Sequence, residues 1–440
     1  MTDLRHDLSL FDLTMIAIGS TIGSGIFLTP SIIAHALPSA PWILGLWAAG
    51  GLTALAGALT FAELGGMMPG AGGVYVYLTE AYGPLAGFLY GWAYFLVVTT
   101  GAIAALSLAA ATYLSYFIPL GSGGIPVAAI ICLACVTVLN VLGVKSGSVF
   151  SDVSTMLKLC GIALVVAVGF GWGSGRLFGV ESAPLASEGS LTTALATAMV
   201  GILWSYGGWQ HASFAAAEAR DPRRTVPLAM LIGAFVVTAV YLLINVAYLL
   251  LLPVETLGAS PHVAADALEV VLGPGGGKII AAAIFISTFG TAGVYTLTAP
   301  RIYFAMANDG LFFRSVAKVH PRFRTPAVAI FIQSTWAIIL ILFWRTFENV
   351  ISYVVFTDWI FFALAGAAVI ILRIRRPGVP RPYKTFGYPL TPFFFVLVAV
   401  WFVLNSVFTS PAQAAAGLFF LGCGIPVFFY WRNRKRSTQA

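Results

Sequence analysis

Twelve stretches of this chain are long, apolar and almost free of charge. They run approximately over 11–37, 41–68, 84–117, 125–143, 153–172, 192–218, 227–252, 277–307, 327–344, 350–372, 389–409 and 414–431. A helix of roughly 20 apolar residues satisfies its own backbone and crosses the hydrocarbon core of a bilayer. Barrel strands would need alternating rather than continuous apolarity. The composition agrees, with 59% hydrophobic and 9% charged residues, where soluble domains carry about 25% charged. The sequence therefore predicts an all-α membrane protein of twelve transmembrane helices, numbered here as spans 1 to 12. The first run follows the charged start Met1 to Asp7 and is too long and glycine-punctuated for a cleavable signal core.

Charge placement orients the spans, because Lys and Arg collect on the cytoplasmic side. With the N-terminus inside, all but four of the 23 Lys and Arg residues fall in inner segments, from Arg5 to Arg436. Arg176, Lys278 and Arg345 fall outside, and Lys158 lies within a span. Both termini are expected to be cytoplasmic, in the plasma (cell inner) membrane. This bias accounts for the net charge of +7, so no nucleic-acid partner is implied.

Span 1 contains "GSTIGSGIF", with Gly19, Gly23 and Gly25. Glycine in a helix interior costs roughly 1 kcal/mol relative to alanine. Five spans later, span 6 contains "WSYGGWQ", Trp204 to Gln210, with Gly207 and Gly208 adjacent. Single glycine pairs also serve close helix packing. Two clusters at matching positions point instead to broken helices in two inverted repeats. The repeats would be 1–172 and 192–372, with the last two spans, 389–431, added, all in one transporter domain over 1–440.

With these motifs, the chain resembles the amino acid–polyamine–organocation (APC) superfamily, in particular bacterial relatives of its L-type amino acid transporter branch. The resemblance is carried by "GSTIGSGIFLTP", "FAELGGMMPGAGGVYVYLTEAYGP" (Phe61 to Pro84) and "SYGGWQHASFAAAEARDPRRTVP" (Ser205 to Pro227). "PRIYFAMANDGLFFRSVAKVHPRFRTP" (Pro300 to Pro326) and "RPYKTFGYPLTP" (Arg381 to Pro392) extend it over nearly the whole chain. It implies a LeuT-type fold with a 5+5 inverted repeat and broken helices 1 and 6. It also implies sodium-independent amino acid transport, commonly by exchange through alternating access.

The physics of a zwitterion fits that implication. A broken helix frees N–H groups on one half and C=O groups on the other. The N–H end, partly positive, can hold a carboxylate, and freed carbonyls can hold an ammonium. By position, the resemblance implies that Gly23, Ser24 and Gly25 face the carboxylate. It puts the ammonium near the carbonyls of Thr21, Ile22, Trp204, Ser205 and Gly207. Trp204 stands where the family keeps an aromatic gate. Neutral L-amino acids are the expected substrates, because no acid or base is evident near the breaks.

Lys158, in "STMLKLCGIAL", lies inside span 5. A charge at the centre of a span costs about 2.5–3.5 kcal/mol, unless the side chain snorkels to the surface. The resemblance implies that its ammonium takes the place of a sodium ion between helix 1 and the scaffold. Ser287, Thr288 and Thr291 in span 8 are then its candidate partners. A fixed tether and a proton carrier both remain open for Lys158.

Glu63 and Glu218 end spans 2 and 6, near Arg220, Arg223, Arg224 and Arg301. An ion-pair network closing an inner gate and solvated helix ends are equal readings. Asp358 lies deeper, as a proton site or, more simply, a structural hydrogen-bonding group. His211 is expected to pack and to bond to backbone. Cys132 and Cys135 have C-x-x-C spacing but no second pair or histidine cluster, so apolar packing is the reading. No metal-ligand spacing, nucleotide loop or catalytic triad is present, so neither cofactor nor enzyme activity is expected. Some relatives pair with a heavy chain through a cysteine between helices 3 and 4. The "PLGSGGIP" loop, Pro119 to Pro126, has none, so no disulfide-linked partner is expected. A proton-coupled symporter and a polyamine or cationic amino acid antiporter are the alternatives.

Overall fold

The computed structural model describes residues 8–439 apart from 71, 143, 174–190, 314, 317, 319 and 321–324. Arg5 and Arg176, and with them Arg314, Arg322 and Arg324 of the expected inner segments, therefore lie outside the described residues. Among the described residues the regular structure is helical, and eleven helices are long and apolar enough to cross a membrane.

Span 1 consists of α1 (Leu10–Thr21) and α2 (Gly25–Ala36). Ser9 caps α1 through a capping box with Asp12, in which the Ser9 hydroxyl accepts from the Asp12 N–H and the Asp12 carboxylate from the Ser9 N–H. Next come α3 (Ala40–Met67), the short α4 (Val74–Tyr82), α5 (Pro84–Ala93) and α6 (Thr99–Leu114). One π-helical turn, Tyr94–Val98, joins α5 to α6 and makes them one span. Then follow α7 (Gly121–Leu142), α8 (Val144–Trp172), α9 (Leu191–Ser205) and the single turn α10 (His211–Phe214). The second half holds α11 (Pro222–Leu251), α12 (Val254–Ala259), α13 (Val263–Thr298) and α14 (Pro300–Asn308). It ends with α15 (Ala327–Trp344), α16 (Phe347–Arg375), α17 (Leu390–Thr409) and α18 (Pro411–Gln439).

Eleven of the twelve expected runs thus contain long helices. The exception is span 6, expected over 192–218. Its helical part, α9, is 15 residues long and stops at Ser205. The turn at 206–210 then separates it from α10, since Gly208 has φ +133°, where a helix cannot continue.

Packing sorts the helices into two groups. In one, α11 lies along α3 and α1, and α2 lies along α9. In the other, α13 lies along α6 and α8, and α15 lies against α6 and α7. Aromatic side chains fix the join near the second break. Phe61 of α3 meets Trp209, Phe362 and Phe395 edge-on at ring separations of 5.1, 5.6 and 5.9 Å. The four cysteines are free, and Cys135 is exposed while Cys132 is buried.

Candidate functional site

The two breaks face each other across a closely packed seam. Gly25, the first residue of α2, lies against Ser205, the last of α9. A Cβ on Gly25 would stand 2.7 Å from the Ser205 Cα. Gly208 lies against the backbone at Ser20 and Thr21, where a Cβ would meet the Ser20 carbonyl at 2.6 Å. Both contacts exclude any side chain. The hydroxyls of Thr29 and Ser205, 2.8 Å apart, tie α2 to α9 beside the seam.

The breaks leave backbone groups open, as helix ends must. The Phe27 N–H already donates to the Ser24 carbonyl at 3.2 Å. The N–H groups of Ser24, Gly25 and Ile26, before it, meet no acceptor among the described residues. Ser24 does not cap α2 with its side chain. Its hydroxyl accepts instead from the Trp204 indole N–H at 3.3 Å.

The carbonyls expected to face an ammonium divide into taken and open. The Tyr241 hydroxyl of α11 lies 3.0 Å from both the Thr21 and the Ser205 carbonyls and bridges the two breaks. The Ile22 carbonyl accepts from Lys158. The Trp204 carbonyl accepts from the Gly207 N–H at 3.2 Å. Only the Gly207 carbonyl accepts from no group among the described residues. Four of the five carbonyls expected near an ammonium thus already accept a hydrogen bond, two of them from Tyr241, which no sequence motif singled out, and each keeps a second lone pair.

Lys158 is 2% exposed. Its Nζ donates to the Gly19 carbonyl at 2.9 Å, the Ile22 carbonyl at 2.6 Å and Thr291 Oγ1 at 2.9 Å. The side chain does not snorkel, and the ammonium finds its three acceptors at the first break and on α13. Of the three hydroxyls expected beside it, only Thr291 is reached. The Ser287 hydroxyl sits one helical turn away and has no partner. The Thr288 hydroxyl points round the helix and bonds back to the Ile284 carbonyl at 2.8 Å.

A cavity lies between the breaks and the second group of helices. Its walls include Thr21, Gly23, Ser24, Gly25, Trp204, Gly207, Thr291 and Asp358 from the expected set. The space open to the centre of a water-sized sphere is about 40 Å³. By that measure about 10–15 Å³ holds one water, so the cavity takes a few waters or a small solute. Trp204 borders it and packs edge-on against Phe347 at 6.0 Å. Tyr94 and Val98, from the π turn, also line it, as π turns often do at functional sites.

Asp358 had two readings, and a structural hydrogen bond is not what the structure places there. Its Oδ1 is buried without a partner, on the cavity wall formed by α16. The expectation that no acid stands near the breaks is corrected with it. Both errors have one cause, because helix α16 is remote in sequence from both glycine clusters. His211 also lines the cavity, with its Nε2 3.5 Å from the Tyr94 hydroxyl and its Nδ1 without a partner, so it makes no ring-to-backbone bond.

Glu63 is fully buried, but its partners are not those expected. Arg373 grips it through Nε at 2.9 Å and through the terminal nitrogen at 2.6 Å. Arg381 Nε lies 3.2 Å away, and the Thr385 N–H and hydroxyl donate at 2.8 and 2.9 Å. Arg220, Arg223 and Arg224 are exposed, and the Arg301 side chain lies outside the described residues. Glu218 is half-buried, and its carbonyl accepts from the Leu8 N–H at 2.9 Å. No cluster of metal-ligating side chains occurs among the described residues.

A small cavity beside two facing helix breaks in a helical membrane protein is the arrangement that secondary transporters use to bind their solutes. The comparisons name the family. The amino acid permease model matches residues 8–429, and the chain belongs to that family. It is 33% identical over 432 residues to the serine/threonine exchanger SteT of Bacillus subtilis (strain 168), covering 97% of each chain. It is 32% identical over 447 residues to the human b(0,+)-type amino acid transporter 1, covering 99% of this chain and 89% of the relative. The mouse large neutral amino acids transporter small subunit 2 is 30% identical over 446 residues, with 98% and 83% covered.

Proposed function

We propose that this protein exchanges neutral L-amino acids across the cell inner membrane, independently of sodium, by alternating access. The observation that carries the reading is the pairing of open groups at the breaks. The free N–H groups of Ser24, Gly25 and Ile26 offer a carboxylate site at a helix N-terminus. The free Gly207 carbonyl offers an ammonium acceptor across the same cavity. Exchange is in keeping with the serine/threonine exchanger among the relatives.

In this reading Lys158 holds the first break against α8 and α13, where a sodium-coupled carrier would need an ion. Trp204 gates the cavity. Residues 1–172 and 192–372 act as inverted repeats, with α9, the turn at 206–210 and α10 forming a broken sixth span. Both termini face the cytoplasm, and no disulfide-linked heavy chain is required, since the Pro119 to Pro126 loop carries no cysteine.

The test is a screen of the natural amino acids with purified protein in proteoliposomes. Uptake should require internal amino acid and should be unchanged when sodium is replaced. Uptake into empty vesicles driven by a pH gradient would replace exchange with proton symport.

A further inference from the structure

We propose that Asp358 reads the side chain of the transported amino acid, accepting a hydrogen bond from a donor carried on it. The inference rests on the exchange reading above and extends it to substrate choice.

Several polar groups around the cavity are engaged, although His211 Nδ1 is not. The Ser24 hydroxyl holds Trp204, Thr291 holds Lys158, and Gln210 Oε1 accepts from the Gly208 N–H at 2.9 Å. The Asp358 carboxyl accepts from no group among the described residues, and its Oδ1 is shut off from bulk water. A buried acceptor without a donor is unfavourable, and a carboxylate more so than a neutral group. Residues 354, 355, 358 and 359 share one helix face, and Val354, Val355 and Trp359 line the cavity beside Asp358. On this helix face the carboxyl has apolar neighbours, while Tyr94, His211 and Tyr295 bring polar atoms to the rest of the wall. The backbone amides and the Gly207 carbonyl at the breaks suit the α-carboxylate and α-ammonium that every amino acid shares. Discrimination falls to groups placed elsewhere on the wall, of which Asp358 carries the carboxyl, the strongest kind of acceptor there, and such an acceptor favours a hydroxyl, amide or ammonium donor over a methyl of the same shape. The small volume favours short side chains.

The experiment measures competition for exchange of labelled L-serine in proteoliposomes, using pairs matched in shape. L-threonine is compared with L-valine, L-serine with L-alanine, and L-ornithine is added as the cationic arm. The wild type should prefer threonine to valine by at least about tenfold, since a site built around a donor rejects the analogue lacking it. In Asp358→Ala that ratio should collapse towards one. Asp358→Asn covers the case in which the alanine variant fails to assemble. A neutral acceptor bonds about half as strongly as a charged one, so the ratio should fall by at least about threefold. Ornithine competing in the wild type but not in Asp358→Asn identifies an ammonium as the preferred donor; threonine competing while ornithine does not identifies a hydroxyl.

A wild-type ratio near one, or a ratio unchanged in an assembled Asp358→Asn protein, overturns the inference while leaving exchange intact. Proton-driven uptake that is lost in Asp358→Asn with the ratio unchanged also overturns it and makes Asp358 a proton site. A wild type that exchanges no amino acid removes the exchange reading, and this inference with it.

Discussion

The Lys158 ammonium stands 2.6 Å from the Ile22 carbonyl, inside the first helix break. It also holds Gly19 and Thr291, so one side chain fastens α1 and the break to α8 and α13. Hydrogen bonds to a charged group contribute about 1.5–3 kcal/mol each. Lys158→Ala removes all three and leaves buried acceptors without a donor. Exchange in proteoliposomes should fall by at least about tenfold, and the detergent-solubilised protein should melt earlier. Near-normal exchange by that variant would show that the break holds its position without the tether.

Tyr241 makes the corresponding link between the two breaks themselves. Its one hydroxyl hydrogen is shared by the Thr21 and Ser205 carbonyls, while its ring packs on Trp47 at 5.4 Å and on Tyr206 at 5.1 Å. Tyr241→Phe keeps the ring and deletes only the link. Thermal stability should change little, because the lost hydrogen bond contributes about 0.5–1.5 kcal/mol. Exchange should drop several-fold, because two elements that must move together are uncoupled. A large loss of stability with an unchanged exchange rate would assign Tyr241 to packing alone.

Gly208 and Gly25 set the spacing of the seam. Gly208→Ala would put a methyl 2.6 Å from the Ser20 carbonyl at a φ of +133°, which side chains rarely adopt. Gly25→Ala would drive a methyl into Ser205. Each variant should still insert in the membrane, since neither alters an apolar run. Each should lose substrate binding, read as the loss of ligand-induced thermal stabilisation by the amino acids that stabilise the wild type. Retained binding by both would place the recognition site away from the seam.

How much was legible in the sequence follows from which interactions are local. Apolar length is a local property, so the spans could be read directly. The glycine clusters also marked where helices stop, at Thr21 and Ser205. Lys158 stood out because an intramembrane lysine is costly wherever its partners are. What it holds could not be read so fully. Thr291 was one of three hydroxyls at near-equal sequence positions; one turn of depth along the helix separates it from Ser287, and the Thr288 hydroxyl is taken up by the Ile284 carbonyl. Tyr241 looked like any aromatic residue in an apolar run. Its role depends on two carbonyls that lie 220 and 36 positions away. Asp358 reaches the cavity only through the packing of α16, which no local pattern encodes. The one signal that marked it was a charge within a span.

Glu63 offers the last case, an ion pair whose partner lies far along the chain. Arg373 and Arg381 approach it from the end of α16 and the segment that follows, with Thr385 adding two donors. The Arg373 guanidinium also lies 3.7 Å above the Tyr388 ring. The carboxylate therefore pins the 376–389 connection to the end of α3. Removing one member of a buried pair costs about 3–5 kcal/mol, because the other is left uncompensated. Glu63→Ala should lower the melting temperature in detergent and expose the connection to limited proteolysis. Arg373→Ala should do the same, and the double variant should cost less than the two single losses combined, as groups in direct contact do not add. A double-variant loss equal to that sum would show that the two side chains stabilise the protein separately, and that the arginine's hold on Tyr388 matters more than its hold on Glu63.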